Sequence, residues 1–435
     1  MCVGAAPDRD EGSPDPRGVA DGGRRGYAYR DVRTMLRTLT IKNYKSILEH
    51  TIELGRINVF IGENGCGKTN ILEALAMAAA ALADKLSVEE LFNRGMRVAP
   101  PSAMHSAFPG TTSEKILLRC RSDDRPEIEL RIVARGQLPN DVTWVGEANE
   151  DEERLSRAGV ADTLREISAS LKQVEDKLKT QASDLTQLRQ AAERLRALTR
   201  VMTARTAYRD LLGDFAIYNP NILALRGLEI MSRRAPLGIH GETLDSAVLT
   251  LRSDVWKDVL ERAKCISWVD DIIVDPAGEQ NYPGAKLGKS QSALYFFDKY
   301  MRPDDNVFSA ENVNEGILHV LFYLTLFSGE GTPKVLGIDN IDTSLNPQLC
   351  RDLIKQLAEL AKEHDKQALI TTHNPAILDG LNLNDDEQRL FVVERTDEGP
   401  TVTERIKVKP RPEGQKLKLS ELWMRGHLGG IPRSF

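Results

Sequence analysis

The sequence predicts an α/β protein: a mixed sheet with flanking helices, drawn from both ends of the chain and split by a helical, coiled-coil insertion. Three observations predict it. A short apolar run at 57–61 ends in a glycine-rich stretch and opens into an alanine-rich helical pattern. Beyond residue 311 helical and strand-like patterns alternate, the order of an α/β domain. Between these, residues 150 to about 212 carry a heptad repeat.

The elements follow in order. Residues 1–34 are rich in Gly, Pro, Asp and Arg and read as a disordered N-terminal extension. Met35 stands directly before the first patterned strand, so a mis-assigned start and a functional tail are both open. Residues 35–148 form a first lobe. Leu39, Ile41 and Tyr44 begin a strand-like region that continues at 52–54, and further strands are expected at 115–120 and 128–133, the last with clear alternation. Residues 149–213 are the insertion. One seam holds Leu164, Leu171, Leu178, Leu185, Ala192 and Thr199, the other Ile167, Val174, Gln181, Leu188, Leu195 and Met202. Forty such residues span about 60 Å of helix. No equally regular second run exists to return along the first, so the seam packs on a partner chain, on a shorter local helix, or on its own domain. Arg189, Arg194, Arg196, Arg200 and Arg205 set positive charge along it, either an exposed face or a track for a phosphate backbone. Residues 214–310 are a mixed helical lobe broken by Pro220, Pro236, Pro276 and Pro283, with a strand expected within 266–274 and a helix at 290–300. Residues 311–408 form the C-terminal lobe: a helix at 314–327, a buried strand at 335–339, a helix at 347–363 and a strand at 367–371. A tail, 409–435, closes the chain. Lys407, Lys409, Arg411, Lys416 and Lys418 make its approach basic, as a solvated segment or a contact for DNA or a partner.

Composition excludes several classes. The 435 residues are 41% apolar and 28% charged, ordinary for a globular protein. Lys plus Arg is 58 and Asp plus Glu is 64, a net charge of −6, which does not describe a protein that coats nucleic acid. No apolar run reaches the ~18 residues of a membrane span; the longest stretch, 71–82, is interrupted by Glu73. Five scattered cysteines without CxxC pairs fit neither a zinc site nor a disulfide framework, and point to a reducing cytoplasm. No apolar segment follows Arg24-Arg25, so no signal peptide is read there.

The chemistry sits in four motifs. Gly62-Glu63-Asn64-Gly65-Cys66-Gly67-Lys68-Thr69 matches G-x-x-x-x-G-K-[ST] in full, between a strand and a helix that continues through Asn70. Glycines let backbone N–H groups face phosphate oxygens, and the helix adds its positive N-terminal end. Lys68 is expected on the β- and γ-phosphates of ATP and Thr69 on Mg²⁺. Cys66 occupies a position where any residue is allowed. The second motif is the apolar strand ending at Asp339, a Walker B carboxylate for Mg²⁺. Asp339 lies far beyond Lys68, so the intervening chain must hold inserted structure. The third is Thr371-Thr372-His373-Asn374-Pro375, where His373 is placed to sense the γ-phosphate. The fourth, Asn314-Glu315-Gly316 opening a helix, is an anion site or an ordinary cap.

These motifs in this order, with the opening Leu39-Thr40-Ile41-Lys42-Asn43-Tyr44-Lys45-Ser46-Ile47, resemble the ABC-type ATPases of the RecF/SMC group. More closely, the chain resembles the stand-alone AAA-type, ABC-like ATPases of bacterial anti-phage defence operons, a circle that includes the Septu ATPase PtuA and the ATPase half of overcoming-lysogenization-defect (OLD) proteins. The resemblance spans about 36–135 and 305–400. Leu419-Ser420-Glu421-Leu422-Trp423, Gly426 and Leu428-Gly429-Gly430 also look like tails of such ATPases. It implies an ABC-type head that dimerises head to tail, with Asn314, Glu315 and Gly316 of one subunit touching the γ-phosphate held by the other. Position 314 is Asn where the family has Ser.

The consequential departure is Asn340, where the family pattern has a catalytic Glu after Asp339. An amide cannot accept a proton from water, and general-base help is typically worth about 10²–10⁴-fold. Slow hydrolysis and a long-lived ATP-bound dimer are expected, unless Asp342 or another carboxylate substitutes. The 62 residues after His373 are too few for the Toprim nuclease of OLD proteins, so any effector is expected to be a separate protein. Asp385-Asp386-Glu387 reads as a solvated loop. The function implied is a cytoplasmic ATPase subunit whose ATP-dependent homodimer, or higher homo-oligomer, regulates an associated nuclease or toxin in phage defence. DNA contact is possible and no membrane is involved. The alternatives are a RecF/SMC-like repair ATPase and an ATP-locked scaffold.

Overall fold

The chain opens with a hairpin, β1 (Leu36–Tyr44) and β2 (Ile47–Glu53), and then enters β3 (Ile57–Gly62), which is buried along its whole length. The computed structural model describes residues 34–111, 114–135, 143–147, 203–230, 232, 234–278, 290–407 and 418–430. The extension 1–33 and the heptad positions 164–202 lie outside the described residues, as do most of the basic residues expected there and in the tail. No helix among the described residues is long and apolar enough to cross a membrane.

Two sheets organise the described chain. The first is antiparallel, in the order β2-β1-β4-β5-β6, where β4 is Lys115–Ser122, β5 Ile128–Arg135 and β6 Thr143–Glu147. The second has six strands, β14-β13-β3-β12-β11-β7, where β7 is Ile217–Tyr218, β11 Val335–Ile338, β12 Gln367–Thr371, β13 Gln388–Arg395 and β14 Thr401–Ile406. Its first five in space from β7 to β13 run parallel, and β14 returns antiparallel on β13. The fold is therefore mixed α/β, as the sequence predicts. A smaller antiparallel sheet joins β8 (Val269–Val274), β9 (Leu294–Asp298) and β10 (Val307–Ser309).

Strand periodicity divides the interior into two cores. Ile57, Val59 and Ile61 of β3 face one core, with Leu336, Ile370 and Val392 of the neighbouring strands and the helices Glu315–Ser328 and Pro347–Glu363. Phe60, Leu369, Phe391 and Val393 face the other, with the helix Lys68–Leu82 and the antiparallel sheet. Phe60 stacks on Phe391 across the β3–β13 pairing, ring centroids 5.0 Å apart. The helix Lys68–Leu82 lies between two sheets, so almost every position is buried; from Ile71 on it is apolar all round except for the ion-paired Glu73. Its alanines keep the approach close while favouring helix.

Segment 290–300 departs from the expected helix. Its middle, Leu294–Asp298, forms β9, with Leu294 and Phe296 buried and Tyr295 and Phe297 half-buried. Alternating burial over a short aromatic run is a strand signature, and the adjacent β8 and β10 fix it. The helix after Asn346 and β12 fall where expected. Pro347 takes the first helical position, and Asn346 Oδ1 accepts from the Leu349 amide at 2.9 Å. Asp385-Asp386-Glu387 is an ion-paired corner. Asp385 receives Lys362 at 2.5 Å, Asp386 receives Arg389 at 2.9 Å and Arg405 at 2.5 Å, and Glu387 receives Arg37 at 3.0 Å. Arg205, the described member of the basic stripe, pairs with Asp84 at 2.6 Å and donates to the Ala81 carbonyl.

Candidate nucleotide-binding site

Parallel strands present their carboxyl ends on one edge of the sheet, where α/β folds bind ligands. Here that edge gathers Gly62 from β3, Asp339 after β11, Thr371 to His373 at the end of β12 and Glu394 from β13.

The loop after β3 is shaped by its glycines. Gly62 has φ +152°, and a Cβ there would stand 2.2 Å from the Val393 carbonyl oxygen. Gly67 has φ +110°, and its Cβ would meet the Thr401 and Ser46 hydroxyls at 2.4 and 2.8 Å. Both are forced by close approach as well as by dihedral. Glu63, Asn64 and Gly65 are exposed, whereas Cys66 is buried. Burial pushes the Cys66 thiol up from its ordinary range. The helix that begins at Lys68 has no side-chain cap at Gly67, so its first amides are left for an anion.

Lys68 is buried, and its Nζ donates to the carbonyls of Gly62 at 2.9 Å and Glu63 at 2.8 Å. Burial lowers its pKa, partly offset by the neighbouring Cys66 and Asp339. Thr69 Oγ1 donates to Asp339 Oδ1 and Oδ2 at 3.1 and 3.2 Å. The Walker A and Walker B residues therefore meet in space. A hydroxyl and a carboxylate form a hard-oxygen donor pair that fits Mg²⁺, which commonly takes one or two protein oxygens and fills its octahedron with phosphate and water. Among the described residues no cluster of three or more His, Cys, Asp or Glu forms an all-protein metal cage.

Thr371 and Thr372 hold the carboxylates of Asp339 and Asp342, roles with no signal in the local sequence. Thr371 Oγ1 donates to Asp339 Oδ1 at 2.6 Å and accepts from the Asn340 amide at 2.9 Å. Thr372 Oγ1 donates to Asp342 Oδ1 at 2.6 Å, and that oxygen also receives the His373 amide at 3.3 Å. Asn340 has φ +56°, a left-handed conformation that Asn tolerates better than most residues. The His373 side chain is exposed. Partial burial first, and then the Lys68 ammonium, hold its imidazole below the ordinary value.

Residues far apart in sequence support the loop. Asn70 Nδ2 donates to Ser46 Oγ at 2.7 Å, Ser46 Oγ pairs with Thr401 Oγ1 at 2.6 Å, and Thr401 Oγ1 donates to the Cys66 carbonyl at 2.7 Å. Ser46 belongs to the quoted opening motif, so the signal was present without its meaning. Glu73, fully buried in the loop helix, accepts from Lys45 at 2.5 Å and from the amide and side chain of Arg97 at 3.0 and 2.9 Å. A cavity of about 530 Å³ opens beside the loop, lined by Glu63 to Cys66, Glu394, Arg395 and Thr396 among others, within the usual size of small-molecule sites.

Asn314, Glu315 and Gly316 lie elsewhere. Asn314 Oδ1 caps its helix by accepting from the Gly316 amide at 2.8 Å, and Glu315 approaches Arg226 at 3.8 Å. Asn314 and Gly316 line a separate cavity of about 500 Å³ with Ser344, Asn346 and Trp268, which shares no lining residue with the cavity beside the P-loop.

No curated protein matches the chain. Among solved structures, it is similar to an SMC head bound to the C-terminal winged-helix domain of ScpA (13% identity, 86% of this chain, 98% of that one, TM-score 0.49). It is also similar to the SMC head of Pyrococcus furiosus bound to the ScpA C-terminal domain (12%, 86% and 96%, 0.45) and to that of Thermotoga maritima (12%, 86% and 99%, 0.43). A family model described as "AAA domain, putative AbiEii toxin, Type IV TA system" matches residues 57–379, from the first residue of β3 to just past His373. That match takes in the glycine loop, Asn314–Gly316, Asp339 and His373, and it covers roughly three quarters of the sequence, so the chain belongs to this AAA-domain family.

Proposed function

We propose that this chain is a slow ATPase that works as an ATP-gated dimeric switch. Its nucleotide state would regulate a separate effector, a nuclease or other toxin, in bacterial anti-phage defence. The observation that carries the proposal is the convergence of Lys68, Thr69 and Asp339 at the mouth of an uncapped helix. Lys68 now satisfies loop carbonyls and would exchange them for β- and γ-phosphate oxygens. Thr69 and Asp339 would hold Mg²⁺, and the amides from Gly65 to Thr69 would cradle the phosphates. Asn64 and Glu63 would line the approach, and Asn70 would keep the loop on Ser46. Bound Mg²⁺ supplies charge neutralisation at the transferring phosphate.

Slow hydrolysis follows from the residue after Asp339. Asn340 has no carboxylate; Asp339 before it would hold Mg²⁺, and the next one along the chain, Asp342, is engaged by Thr372 and the His373 amide. His373, neutral near pH 7, would sense the γ-phosphate by hydrogen bonding. Asn314, Glu315 and Gly316 would complete the site of a second copy, with the Asn314 amide donating while its oxygen keeps the helix cap. The family description names a toxin and a toxin–antitoxin system, which supports a role in such a system over housekeeping repair; the separate effector is part of the proposal. The motif resemblance to the Septu ATPase is in keeping with the same reading, and a cytoplasmic location without membrane contact is part of the proposal. A scaffold that scarcely hydrolyses is a second reading, and Asn340 is the observation that favours it.

Titration of ATP into the full chain with Mg²⁺, alongside Lys68→Ala, tests binding; multiple-turnover hydrolysis tests the switch. Binding lost in Lys68→Ala, with turnover far slower than binding, is expected. Rapid turnover by the native chain would end the slow-switch reading. Purification from its host would test the effector, with stable recovery of a neighbouring gene product expected.

A further inference from the structure

The C-terminal segment Leu419–Gly430 touches the P-loop at one end and, at the other, Asp379, a few residues past His373. At one end, the helix Leu419–Met424 is tied to Asp379, which directly follows the helix Pro375–Leu378 that opens after His373. Ser420 donates to Asp379 from its amide at 3.0 Å and from its hydroxyl at 2.7 Å. At the other end, Gly430 lies on the base of the P-loop. Its amide donates to Glu394 Oε1 at 2.5 Å, and Glu394 lines the cavity beside the loop. A Cβ on Gly430 would stand 3.2 Å from the Gly62 Cα and 2.9 Å from Val392 Cγ1. Between the two ends, Trp423 is buried in the core beneath the sheet, with its indole N–H unpartnered and 3.7 Å from that same Cβ position.

We propose that this segment is a positioning brace, tying the first glycine of the P-loop to the segment that carries the switch histidine. One end rests on the glycine loop that would receive the phosphates, and the other on Asp379, beyond the short helix that follows His373. A loop held at Gly62 has fewer conformations to lose on binding, so the brace raises nucleotide affinity by preorganisation. The inference rests on nucleotide binding at the P-loop.

Two tail glycines supply a matched test. Gly430 and Gly426 both have positive φ, +71° and +75°, so alanine strains the backbone similarly at each. A Cβ at Gly426 meets nothing within 4 Å, whereas one at Gly430 meets the P-loop. In the full chain with Mg²⁺ and a fluorescent ATP analogue, Gly430→Ala is expected to weaken binding about fivefold or more. Gly426→Ala stays within about twofold and loses only the stability that the shared dihedral strain costs. Ser420→Ala, outside the P-loop cavity, also weakens binding, and Ser420→Thr restores it. Native affinity in Gly430→Ala and Ser420→Ala overturns the brace and leaves the nucleotide site standing. A native chain that binds no analogue overturns both. If Gly430→Ala does not fold, the Ser420 pair decides alone.

Discussion

Thr69 Oγ1 donates to both carboxylate oxygens of Asp339, at 3.1 and 3.2 Å, although the two residues lie 270 positions apart in the chain. The contact joins the end of the glycine loop to the end of β11, and it is where the proposed site would hold a hard divalent ion. Asp339→Asn keeps an oxygen acceptor and removes the charge. The Mg²⁺ concentration that supports half-maximal ATP binding should rise about tenfold or more, the scale of one charge-assisted interaction. A Mg²⁺ titration at fixed ATP measures this, and unchanged demand for the ion would remove Asp339 from the site.

Asn340 should show two opposed effects when replaced by Glu. Its φ of +56° disfavours a longer side chain, so stability should fall by ~1 kcal/mol. Turnover should nonetheless rise, toward the ~10²-fold that a general base contributes. Denaturant midpoints and steady-state hydrolysis separate the effects. A stable variant with native turnover would show that another group already supplies the base.

Glu73 is the strongest stability prediction. It is fully buried, and it accepts from Lys45, whose side chain is also largely buried, and from Arg97. Glu73→Gln leaves the Lys45 ammonium without its carboxylate, a change that typically costs ~3 kcal/mol or more. Denaturant unfolding of the apo chain should show the loss, and a native midpoint would mean that Lys45 finds another partner.

His373 predicts a pH profile. Partial burial and Lys68 hold its pKa below the ordinary value, so the imidazole is neutral at pH 7 and takes up a proton only at lower pH. The kcat/KM for hydrolysis, which reports the free chain, should carry an acid limb below the usual imidazole range, and His373→Gln should remove that limb while lowering the plateau. A limb that persists in the variant would assign it to another group.

Much of this was legible in the sequence because the signals are local. Pro347 after Asn346 marks a helix start, and the buried runs at β11 and β12 carry no helical period. What was missed depends on distant partners. Glu73 reads as an interruption in an apolar run, yet Lys45 and Arg97 make it an ion-paired support under the P-loop. Thr401 gives no sign in its own neighbourhood that it reaches Ser46 and the Cys66 carbonyl. Segment 290–300 is short enough to suit either period, and only pairing with β8 and β10 makes it a strand.

The central claim is an ATP-gated dimer, and light scattering on the full chain tests it most directly. With Mg²⁺ alone the mass should be that of one 48.4 kDa chain, and with Mg²⁺ and ATP it should double to about 97 kDa. Lys68→Ala should stay at the single-chain mass in both. A native chain that binds ATP yet keeps one mass under both conditions would contradict the account.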